Sequence, residues 1–76
     1  MADTELQMHK KALLNVCVKR VVELEGIVRY HIDQIDLSHS IGNDREILEH
    51  ADILANTLAQ IDSDLTAIAG LLAEEE

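Results

Sequence analysis

The chain has 76 residues, 47% of them apolar, with one tyrosine, no proline, tryptophan or phenylalanine, and a formal net charge of −9. That is too short for more than one domain and too apolar for a disordered chain. The missing turn and aromatic residues argue against a compact β domain, and the acidity argues against general nucleic-acid binding, which needs Lys and Arg to meet phosphates.

The N-terminal stretch MADTELQMHKK has no apolar core of the kind a secretory signal requires, and no run reaches the roughly 18 apolar residues of a membrane span. The single cysteine, Cys17, has no internal disulfide partner, which suits a reducing compartment. These features predict a soluble, cytoplasmic protein.

The first predicted element is a helix over about residues 4–37, opened by Thr4 with Gln7 three positions on. Leu14, Val21, Val28 and Ile35 recur at heptad position a, and Cys17, Leu24 and His31 at d. Leu13 and Ile27 at g, with Val18 and Ile32 at e, widen the apolar arc beyond a two-stranded seam. Away from that arc, Val22, Gly26 and Tyr30 stack four residues apart. A glycine inside a helix costs about 1 kcal/mol relative to alanine, so Gly26 marks a flat place where a partner could approach closely. Cys17, in an apolar position, is expected to serve as a small core residue rather than a nucleophile.

The connector spans about residues 38–43. Gly42 suits a turn, Asn43 a helix N-cap, and Glu46 completes the spacing of a capping box. Its shortness predicts an antiparallel hairpin.

The second predicted helix runs from about 44 to 73. Ile47, Ala51, Leu54, Leu58, Ile61, Leu65, Ile68 and Leu72 follow steps of four and three without a break. They place Ala51, Leu58, Leu65 and Leu72 at a, and the isoleucines with Leu54 at d. Leucine at a with isoleucine at d favours assemblies of more than two helices. One partner helix would leave the shoulders Leu13, Val18, Ile27, Ile32, Leu48 and Leu71 wet, and each forgoes about 1.5–3 kcal/mol unless covered. The expected fold is therefore all-α: an antiparallel helical hairpin dimerising into a four-helix bundle. Its predicted self-association set is Leu14, Cys17, Val21, Leu24, Val28, Ile35, Ile47, Leu54, Leu58, Ile61, Leu65, Ile68 and Leu72.

Charge is unevenly placed: residues 1–38 hold six acidic and five basic side chains, whereas residues 39–76 hold nine acidic ones against Arg45. Glu49, Asp52, Asp62 and Asp64 fall outside the predicted seam and, with Val22, Gly26 and Tyr30, form the candidate partner-binding set. Solvated helix faces are commonly charged in this way, and the neutral interval NTLAQ splits the acidic residues into two clusters.

Four histidines raise the question of a metal. An antiparallel hairpin brings His31 and His50 level near the turn, with Glu46 one turn before His50, yet zinc needs three or four ligands and the spacing supplies no further ones. A pH-sensitive or register-fixing polar pair is the competing reading. With no nucleophile–base pair and no phosphate-cradling glycine loop, neither catalysis, a cofactor nor a small-molecule substrate is expected. The expected function is a small acidic protein–protein interaction module, acting as a regulator, inhibitor, adaptor or chaperone on an unidentified protein partner. The alternatives are a metal-binding bundle and an RNA-binding hairpin dimer. The latter architecture resembles the plasmid repressor-of-primer protein, but Lys10, Lys11, Lys19, Arg20 and Arg29 scatter around helix one instead of forming a basic face.

Overall fold

The computed structural model describes the backbone of residues 2–73 and the side-chain surroundings of residues 4–73. Two helices, α1 (Ala2–Ser40) and α2 (Asp44–Ala73), lie against each other as an all-α antiparallel hairpin 61 Å long and 15 Å across. Thr4 and Gln7 lie inside α1, which begins earlier than the capping pattern suggested. At its other end α1 runs on through Ser38, His39 and Ser40, so the reversal is tighter than the predicted 38–43 connector.

That reversal is a hydrogen-bonded helix stop. The Asn43 N–H donates to the Ser38 carbonyl at 2.8 Å and the Gly42 N–H to the His39 carbonyl at 3.1 Å. This is the paired pattern that closes a helix through a left-handed residue. Gly42 supplies that residue at φ +73°, where a Cβ would be strained. One residue later the next helix starts: the Asn43 side-chain oxygen accepts from the Glu46 N–H at 3.3 Å, and its carbonyl from the Ile47 N–H at 3.3 Å. Only half of the predicted capping box forms. The Glu46 carboxylate turns to the partner helix and accepts from the Ser38 hydroxyl at 3.1 Å.

The face that α1 turns inward follows the predicted frame: Leu14, Cys17, Val21, Leu24, Val28, His31 and Ile35 are buried or half-buried, and Ser38 continues the row. On α2 the seam is rotated from the predicted one. Ile47, Leu54, Ile61 and Ile68 do face α1, but the alternate positions are filled by His50, Thr57, Asp64 and Leu71. Leu58, Leu65 and Leu72, predicted at a, stand at the edge of the hairpin with 48–50% of their surface exposed, and Ala51 is exposed beside them. Leu71, predicted as a wet shoulder, lies half-buried in the seam.

The interior is correspondingly thin. Among the described residues the buried apolar side chains are Cys17 and Leu24, each 8% exposed, accompanied by buried Ser38, Thr57 and Asp64. The polar members are all satisfied: the Thr57 hydroxyl donates to the Ile53 carbonyl of its own helix at 2.9 Å, Ser38 and Asp64 bond across to the other helix, and no buried side-chain nitrogen or oxygen among the described residues lacks a hydrogen bond. No helix among the described residues is long and apolar enough to cross a membrane.

Candidate interaction surface

Polar contacts cross the seam at several levels among the described residues. Near the middle of the hairpin, Arg20 grips Asp64 with two hydrogen bonds, Nε to Oδ2 at 2.7 Å and Nη2 to Oδ1 at 2.5 Å. Asp64 was expected on the solvated acidic face; its side chain is instead 7% exposed, while Arg20 reaches down to it from a position 54% exposed. Sequence pattern missed this because Asp64 needs a partner 44 residues away, and nothing local announces it. The hydrogen bonds from Arg20 hold the Asp64 carboxyl below the usual carboxylate range, burial working against them and the guanidinium charge adding to them. Asp64 raises Arg20 in return, again chiefly by hydrogen bonding.

Closer to the turn, His31 and His50 meet Nδ1 to Nδ1 at 2.8 Å. Tyr30 stands edge-on to both rings, 5.1 Å from His31 and 6.4 Å from His50. At the turn Ser38 meets Glu46. Among the described residues no group of three or more His, Cys, Asp or Glu side chains is placed to hold a metal ion. His39 and His9 are exposed.

An Nδ1···Nδ1 hydrogen bond uses one N–H and one lone pair, so at least one imidazole must be neutral. Replacing either ring by leucine leaves the other nitrogen without its partner, so His31→Leu and His50→Leu together are expected to lower the melting temperature by less than the sum of the two single substitutions, read by circular dichroism. Additive losses would show that the contact contributes nothing.

The rest of the candidate set divides clearly. Val22, 62% exposed, and Gly26 lie on the outer face of α1, whereas Tyr30, 56% exposed, leans its ring toward His31 and His50 at the side of the hairpin. A Cβ added at Gly26 would meet nothing within 4 Å, so the hairpin itself does not require glycine there. Glu49, Asp52 and Asp62 are exposed, with Glu49 3.9 Å from Arg45 one helical turn earlier.

Along the hairpin run two unlike flanks. Beside the Arg20–Asp64 pair, Leu13, Ile27 and Ile53 are 42–45% exposed, but Arg20, Gln60 and Ser63 line a polar notch between them. On the opposite flank Val18, Ile32, Leu58, Leu65 and Leu72 are 44–50% exposed and, on α2, form an unbroken row with Ala51. Two shallow apolar grooves border this second flank, one containing Lys11, Leu14 and Val18 and the other Ala51, Asp52 and Ala55. Half-covered leucines in register along one side are what a helical hairpin presents where another helix is to lie. Comparison with protein-family models, with curated proteins and with solved structures finds no match to this chain, so the surface is read from its own chemistry.

Proposed function

We propose that the chain is a non-catalytic protein–protein interaction module that self-associates into a four-helix bundle and regulates, inhibits or escorts another protein by covering part of its surface. One observation carries the reading: among its described residues the hairpin buries two apolar side chains, each still 8% exposed, while sixteen large ones stay substantially exposed. Contiguous exposed apolar surface on a small protein marks an association site. The net charge of −9 keeps such a surface soluble and favours a basic or neutral partner over a nucleic acid.

Affinity capture from the native host tests this with its own controls. The native chain is expected to retain a protein that a Val22→Arg or Gly26→Arg variant of equal helicity does not. Retention unaffected by either substitution, or retention of RNA that falls steeply with salt, would remove the reading.

A further inference from the structure

We propose that His31 and His50 form a two-imidazole clamp for an exchangeable zinc ion, which ties α1 to α2 near the reversal. The clamp lies within one hairpin and depends neither on self-association nor on a partner protein.

The geometry comes first. Sequence spacing sets the two histidines level, and the fold brings their Nδ1 atoms to 2.8 Å. Zinc holds imidazole nitrogens at about 2.0–2.1 Å in a tetrahedral arrangement, so two of them on one ion stand roughly 3.3 Å apart. The same arrangement places the two ring centres about 5.1 Å apart, and they already stand at 5.0 Å. Each ring therefore needs only to tilt in place until both lone pairs converge on one point, and the helices can keep their separation. Tyr30 packs edge-on to both rings. Both histidines are half-buried rather than sealed, which leaves an ion and its water a way in.

The donor set selects the ion. Nitrogen ligands favour zinc and its late transition-metal neighbours over magnesium and calcium, which take oxygen. With both rings neutral, the proton now between the two Nδ1 atoms moves through water to Nε2 of its own ring. Both Nδ1 lone pairs then face the ion, and no proton is released. Among the described residues no third ligating side chain stands beside the pair, so water fills the remaining positions. Structural zinc sites are closed by four protein ligands; a clamp of two holds its ion reversibly. The bridge joins residues 19 apart in sequence, so zinc binds the folded hairpin in preference to the open chain and stabilises it by mass action.

Zinc chloride added to the metal-free chain in a non-chelating buffer tests the proposal. At about five times its dissociation constant, zinc is expected to raise the melting temperature by about 4–8 °C. Calorimetry should give one ion per chain, and EDTA should reverse the rise. His31→Ala and His50→Ala should each abolish it, whereas His9→Ala and His39→Ala, at exposed positions, should keep it. Nitrogen NMR of the native chain gives a reading that does not depend on how well the variants fold: zinc should shift Nδ1 of His31 and His50 and leave their Nε2 atoms protonated. A melting temperature unmoved by zinc up to about 1 mM, a rise that survives either substitution in the pair, half an ion per chain, or coordination through Nε2 each overturns the clamp. None of these outcomes touches the proposed interaction role, and failure to capture a protein would leave the clamp standing.

Discussion

Replacing Arg20 by methionine is expected to destabilise the hairpin strongly, because it leaves the Asp64 side chain, 7% exposed, ionised and without its partner. Taking away one member of a buried pair is worse than removing both, since the survivor keeps its desolvation without compensation. The expected order of thermal stability is therefore native, then Asp64→Leu and the double variant Arg20→Met/Asp64→Leu, with Arg20→Met last. A double-mutant cycle with zero coupling would show that the short contacts contribute no stability. The acid response gives an independent sign. Asp64 has a depressed folded-state pKa, so the pair's contribution is complete above the unfolded carboxylate value, about 3.9, and is lost as pH falls through the folded value. Arg20→Met should behave oppositely below about pH 5: protonating the orphaned carboxyl relieves it, so the gap to the native chain narrows as acid is added. A gap that is constant with pH would be incompatible with a carboxylate ionised and shielded at this position.

The second large effect separates the two seams of α2. Leu24 lies inside the hairpin at 8% exposure, and Leu24→Ala should cost about 2–5 kcal/mol. A chain of this length has on the order of 4–11 kcal/mol in total, so that substitution alone should bring it near the limit of folding at any concentration. Leu58, 48% exposed on one hairpin, should behave differently. In a dilute, dissociated sample Leu58→Ala should cost only about 1 kcal/mol, the share of the transfer term that is covered. In a concentrated sample the proposed self-association should raise that cost toward the cost of Leu24→Ala. Urea titrations at two protein concentrations check both statements. Equal, concentration-independent losses at the two positions would place Leu58 in the hairpin's own interior and restore the seam drawn from the heptad alone.

That heptad explains what the sequence discloses and what it withholds. Helix stops and starts are local chemistry, so Gly42 and Asn43 announce the reversal by themselves; the position of Ser38, His39 and Ser40 inside α1 escapes only because polar residues resemble a loop. Rotation of a helix about its own axis is different. The most apolar arc of α2 runs through Leu58 and Leu65, and amphipathic pattern selects it. The hairpin instead turns His50, Thr57 and Asp64 inward because α1 offers His31 and Arg20 at matching levels and Thr57 answers its own backbone. Those partners are 19 and 44 residues distant, and a single-helix pattern carries no information about them. The same blindness put Asp64 among the candidate partner-binding acids while it is engaged inside. Val22 and Gly26, by contrast, could be placed on the outer face from spacing alone, since α1 keeps the frame that its apolar residues define; Tyr30 departs from it because its long side chain bends back to the histidine rings.

The unequal spacing of the cross-seam contacts also guards the molecule against slippage. A uniformly greasy pair of rods could slide by seven residues and find nearly equivalent neighbours. Here such a slide would set Leu13 or Ile27 beside the Asp64 carboxylate in place of Arg20, and Leu24 or Ser38 beside His50 in place of His31. Either misstep strands the Asp64 carboxylate against hydrocarbon, so one alignment of the two helices is singled out.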